Sequence, residues 1–128
     1  MTGMAELGRR KWVIPGGRIP FHSTGREPDF TSRDELAVLN AGQSDTNLAI
    51  TLFYPDREPV GPYKLVVKAR RTRRVRINDL IFPEAVPLEV DYAALIEADN
   101  PVVVQFTRVD TGHAETSWAG GIAFPSRG

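Results

Sequence analysis

Asn47-Leu48-Ala49-Ile50-Thr51-Leu52-Phe53-Tyr54 alternates with a period of two: Leu48, Ile50, Leu52 and Tyr54 point to one side, Ala49, Thr51 and Phe53 to the other. Both sides are largely apolar, which marks a strand with neighbours on either flank rather than one at an edge. The segment 55–62 that follows holds three prolines and a glycine, composition for a long, stiffened hairpin loop. Beyond it Tyr63, Leu65, Val67 and Ala69 alternate with Lys64, Val66 and Lys68. The same period recurs over 73–77 and, more weakly, 114–124; 102–109 is the strongest β-branched run, and 11–14 and 35–40 are further strand candidates. Asn40-Ala41-Gly42 reads as a turn into the next strand, and Gly120-Gly121 as a bulge or bend. One short helix is predicted over 92–98, with Asp91 capping its first turn and Asn100-Pro101 ending it. The expectation is an all-β chain: an antiparallel β-sandwich with one short helix, a single domain over 1–128 with frayed ends.

At 128 residues, with 25% charged and 41% apolar side chains, the chain has the size and composition of one soluble globular domain. It has no cysteine, which excludes a disulfide framework, a thiolate nucleophile and a Cys-ligated zinc and fits a reducing, cytoplasmic setting. No stretch approaches the roughly 20 apolar residues of a membrane-spanning helix, so any membrane role is expected to run through a partner.

Sixteen basic residues balance sixteen acidic ones, but not locally. Lys68, Arg70, Arg71, Arg73, Arg74 and Arg76 fall within nine positions. Residues 77–107 then hold no Lys or Arg, yet carry Asp79, Glu84, Glu89, Asp91, Glu97 and Asp99. This charge dipole admits a surface for an anion or an acidic partner, pairing within or between copies of the chain, or a solvated strand pair balanced by its own acids. If 68–77 were a hairpin, Arg70-Arg71-Thr72 would sit near its tip, with Lys68, Arg74 and Arg76 on one exposed face able to follow a phosphate backbone. No aromatic residue lies between Val66 and Asn78, which removes base stacking and leaves nonspecific, salt-sensitive nucleic-acid binding.

Signals for catalysis are poor. The two histidines, His22 and His113, lie far apart, and Asp110-x-x-His113-x-Glu115 matches no established ligand spacing. There is neither a Gly-x-Ser-x-Gly elbow nor a P-loop, and Ile14-Pro15-Gly16-Gly17-Arg18 is too short for a dinucleotide cradle. The expectation is a protein without enzymatic activity, cofactor or metal. Trp12, Trp118, Tyr54, Tyr63 and Tyr92 could stack on a sugar, but in a chain of this size buried aromatics more often fill the core. Gln105, Thr107 and Arg108 stand out as polar residues on an otherwise apolar strand. They read as a pocket floor, a subunit interface, or the solvent-facing end of that strand.

Five segments together carry a resemblance: Leu39-Asn40-Ala41-Gly42, Glu58-Pro59-Val60-Gly61-Pro62-Tyr63, Ala69-Arg70-Arg71-Thr72, Val75-Arg76-Ile77-Asn78-Asp79-Leu80 and Val103-Val104-Gln105-Phe106-Thr107-Arg108. In this order, with Trp12 and Ile19-Pro20 ahead of them, they resemble the soluble sensory-rhodopsin transducer family of cyanobacterial type, from about Gly8 to Phe124. The resemblance implies a small β-sandwich, a homotetramer and a non-enzymatic role. That role is either partnership with a light-sensing membrane rhodopsin or another receptor, or binding of a small ligand such as a carbohydrate. The chain departs from the type member at Pro15-Gly16-Gly17-Arg18, in the 22–26 loop and after Ala114. The expected ligand site is Trp12, Arg57, Glu58, Gln105, Thr107 and Arg108, with Trp12 stacking and Arg and Gln donating to hydroxyls or carboxylates. Lys68, Arg70, Arg71, Arg73, Arg74 and Arg76 are the expected anion-binding or interface residues, their acidic complement lying at 79–99 in a neighbouring copy.

Overall fold

The computed structural model describes residues 7–21, 32–110, 117–122 and 124–126. In chain order they form β1 (Arg9–Gly17), β2 (Arg33–Asn40), β3 (Thr46–Phe53), β4 (Val60–Val67), β5 (Arg71–Arg76), a 3-10 turn (Ile77–Asp79), β6 (Tyr92–Asp110), β7 (Ser117–Ile122) and β8 (Phe124–Ser126). All pairings are antiparallel, and two ladders share β6. One runs β4-β3-β6-β1-β8; in the other, β6 lies between β2 and β7, and β5 flanks β2. As the alternation in 47–54 indicates, β3 is internal, with β4 on one side and β6 on the other.

Residues 92–98, expected as a helix, are instead the first half of β6. Tyr92, Ala94 and Ile96 are buried, while Glu97 is exposed, so the segment obeys the two-residue period. Its alanines and leucine suit a helix locally, but the slot between β1 and β3 supplies ladder partners on both edges, and that pairing overrides propensity. Among the described residues the helical turn is at Ile77–Asp79 instead.

At Asp99-Asn100-Pro101 the strand leaves one ladder for the other. These three residues have no ladder partner among the described strands, and proline could not donate to one. A straight strand from Tyr92 to Arg108 would span roughly 53 Å. Yet both side chains bond to the same carboxylate, that of Asp34. The strand therefore folds over at the corner and lays its two halves face to face. Between them lies one core, with Trp12, Ile50 and Ile96 from one layer and Leu36, Val38 and Val104 from the other. Each fully buried Leu or Ile contributes about 1.5–3 kcal/mol.

The 68–77 hairpin does not form. β4 pairs with β3 and β5 with β2, so Lys68-Ala69-Arg70 carries the chain from one layer to the other, with Arg70 at φ 58. Asp45 receives the crossing: it accepts the Ala69 N–H at 2.9 Å and the Lys68 ammonium at 3.5 Å. The free edge of β2 takes β5, whose arginines then line an outer edge of the sheet. The turn after β2 is as expected, with the buried Asn40 accepting from Gly42 N and donating to the Ser44 and Val67 carbonyls. Gly120 and Gly121 pair with Thr107 and Phe106 without a register shift, so no bulge lies there. A shift occurs in the β3–β4 ladder instead, where Ile50 faces Tyr63 but Leu52 faces Val60. The 22–26 loop, His22, His113 and Glu115 lie outside the described residues.

Gly61 sits in that shift at φ 154, and a Cβ there would lie 2.8 Å from the Ile50 carbonyl oxygen. Gly61→Ala is expected to lower stability by about 1–3 kcal/mol. Urea unfolding of the two proteins, with unchanged m-values, measures it.

Candidate ligand cleft

Asp34 lies on the inward parity of β2 with Leu36 and Val38, and its exposure is 0%. A carboxylate in that position must be fully hydrogen-bonded. Its Oδ2 accepts the Tyr92 hydroxyl at 2.7 Å and the Arg18 backbone N–H at 2.9 Å, and its Oδ1 accepts Arg108 Nε at 2.9 Å. The donors come from the chain just after β1 and from both ends of β6. Gly17 makes room for this arrangement, because a Cβ there would stand 2.2 Å from the Tyr92 ring. Burial, reinforced by the Asp34 charge, pushes the Tyr92 hydroxyl far up, so it remains a donor.

Above this clamp opens a cleft of about 520 Å³ at the end of the sandwich. Its aromatic walls are Phe53, Tyr54 and Tyr92, and its charged groups are Arg18, Asp91 and Arg108. Arg18 is held by Glu89 at 3.1 Å and Asp91 at 3.5 Å, and Glu89 also accepts the Phe21 N–H, pinning the segment after β1. Tyr54 is only 9% exposed. Arg57 lies over the face of its ring, 4.2 Å from the centroid, and holds the hydroxyl's ionisation down against the larger upward push of burial. Among the described residues the enclosed Tyr54 hydroxyl meets no partner in good hydrogen-bond geometry. Arg57 pairs with Glu84 at 2.8 Å, and the neighbouring Tyr63 hydroxyl donates to the Glu84 carbonyl at 2.6 Å. Such a wall, aromatic faces beside fixed charges and one orphaned hydroxyl, suits a small polar ligand.

The six residues expected as a ligand site do not converge. Arg108 lines the cleft, and Arg57 stacks on one of its walls. Glu58 is exposed on the β3–β4 loop. Gln105 and Thr107 lie on the opposite parity of β6 from Arg108, Gln105 exposed and Thr107 half-buried. Trp12 is 5% exposed and donates its indole N–H to the Val102 and Arg9 carbonyls, bracing the β6 corner. The residues missed were Asp34, Arg18 and Asp91. Asp34 had a signal, a carboxylate sharing its parity with Leu36 and Val38.

The basic band is dispersed. Lys68 pairs with Asp45, Arg74 with the buried Glu35, and Arg73 donates to the Val66 carbonyl at 2.7 Å. Arg70 and Arg71 are exposed, and Arg76 is half-buried. Among the described residues no three His, Asp or Glu side chains gather as metal ligands, and no helix is long and apolar enough to cross a membrane.

The model of the Anabaena sensory rhodopsin transducer family matches residues 7–125. Two solved structures are similar. The Anabaena sensory rhodopsin transducer is 46% identical, with a TM-score of 0.72 over 79% of this chain and 97% of its own. Thermotoga maritima 1070 is 26% identical, with a TM-score of 0.85 over 95% of this chain and 98% of its own. No curated protein matches.

Burial, with Tyr54 and Glu84 adding to it, pushes the Tyr63 hydroxyl up to about 12. The unfolded chain loses this proton near the ordinary tyrosine value of about 10. Stability from this group is therefore complete below pH ~10 and is lost as pH rises through about 12. Tyrosinate absorbance at rising pH is expected to show a late-titrating tyrosine that Tyr63→Phe removes.

Proposed function

Because the chain belongs to the Anabaena sensory rhodopsin transducer family, we propose that it is a non-enzymatic adaptor that passes the state of a membrane receptor, a sensory rhodopsin in the first instance, to a downstream partner. The 46% identity with the Anabaena transducer carries this reading. In it the protein is cytoplasmic and works as a homotetramer, with the cleft and its rim available to report occupancy or contact. The test is capture on a sensory rhodopsin in lipid nanodiscs, in darkness and under illumination, with light scattering for the oligomer. The expected outcome is saturable binding that changes with light. Equal, negligible capture in both states would reject the rhodopsin partnership.

A second reading has its own observation. Tyr54 is nine-tenths buried in a cleft wall, and its hydroxyl has no well-aligned hydrogen-bond partner among the described residues, while Arg18, Asp91 and Arg108 line the same cleft. This favours a ligand rich in hydroxyls, a carbohydrate, stacked on Tyr54 or Tyr92. A sugar at 100 times its dissociation constant adds about 2.7 kcal/mol to the native state and moves the unfolding midpoint by several degrees. Tyr54→Phe breaks no well-aligned hydrogen bond among the described residues, so the fold should keep its stability while sugar affinity falls about tenfold. Thermal shift against a panel of mono- and oligosaccharides reads both quantities. An undiminished sugar response in Tyr54→Phe would remove the hydroxyl from the site. Nucleic-acid binding has less support, since the band does not form one continuous hairpin face and lacks aromatic residues.

A further inference from the structure

A second cleft, of about 460 Å³, lies along the edge strand β5, away from the Asp34 clamp. Four guanidinium groups line it, those of Arg33, Arg73, Arg74 and Arg76, against two carboxylates, Glu35 and Asp79. The formal balance is two positive charges in a concavity of small-ligand size.

Two of the arginines are aimed by the protein without being used up by it. Glu35 is more than nine-tenths buried and holds a guanidinium on each oxygen, Arg33 Nε at 3.1 Å and Arg74 Nη1 at 3.1 Å. Arg74 is otherwise exposed, with 76% of its side chain accessible. Arg73, the adjacent residue and so on the opposite parity of β5, gives Nη1 to the Val66 carbonyl of β4 at 2.7 Å, which draws its side chain across the gap between the edges of β4 and β5. Each therefore spends one nitrogen on the protein, and Nε and Nη2 of both have no partner among the described residues. Held in this way, a guanidinium has lost part of its conformational freedom already, and its remaining donors form the planar fork that matches a phosphate. Among the described residues the lining holds no aromatic side chain on which a nucleobase could stack.

We propose that this cleft binds a compact phosphate dianion, with Arg73 and Arg74 as its forks and Glu35 as the residue that positions Arg74. It is independent of the adaptor and sugar readings.

The test is calorimetric titration of the protein with inorganic phosphate, pyrophosphate and a short oligonucleotide, at constant ionic strength. Two variants that remove equal charge are compared, Arg73→Gln/Arg74→Gln within the cleft and Arg70→Gln/Arg71→Gln outside it. All four side chains are exposed, and circular dichroism and the unfolding midpoint verify that both variants fold. Saturable pyrophosphate or phosphate binding, weakened about tenfold or more in the cleft variant and within about twofold of the parent in the other, is the expected result. Equal weakening in both variants would overturn the proposal, because it would show a diffuse field and no site. So would oligonucleotide binding without a phosphate or pyrophosphate response, or no heat with either anion up to about 10 mM.

Discussion

One buried carboxylate holds the end of this sandwich together. Asp34 is fully removed from water, a costly position for a charge unless every lone pair is served. Tyr92, Arg18 and Arg108 serve it from three places that are remote in the chain. Because Tyr92 opens β6 and Arg108 nearly closes it, the same group fixes how far that strand must fold over. The absence of a side chain at Gly17, the path of the segment after β1 and the floor of the end cleft follow from this one contact.

The strands were legible in the sequence wherever alternation was strong. The run at 47–54 identified an internal strand, and the β-branched run at 102–109 identified the second half of β6. Residues 92–98 misled because Ala93, Ala94, Leu95 and Ala98 suit a helix and Asn100-Pro101 is a good helix terminator. That dipeptide is also what a strand needs to leave one ladder for another, and local sequence does not separate the two uses. The hairpin at 68–77 failed for a related reason: a turn says that the chain reverses, not which edge the next strand will find. Of the expected ligand residues, Arg108 belongs to the cleft because its parity points inward, while Gln105 and Thr107 follow the other parity. Trp12 carried a strong chemical signal and spends it on the corner of β6.

The charge dipole of the linear chain does not survive folding as a dipole. Within the subunit four of the six acids of 79–99 find partners outside the basic band: Glu84 takes Arg57, Glu89 and Asp91 take Arg18, and Asp99 accepts from Asn47, while Asp79 lies in the cleft beside β5. The band in turn draws Asp45 and Glu35, which lie upstream. What remains is a narrower concentration of charge along β5, set by one buried glutamate.

The continuity of β6 has a mechanical consequence. In many sandwiches the two layers are joined only by loops and can shear past one another when a molecule binds. Here a single strand is covalently part of both layers, braced at its corner by Trp12 and tied at its two ends to Asp34. Sliding one layer would stretch the corner and tear the carboxylate from its donors at once. This construction makes the body of the molecule a stiff frame against shear between its layers.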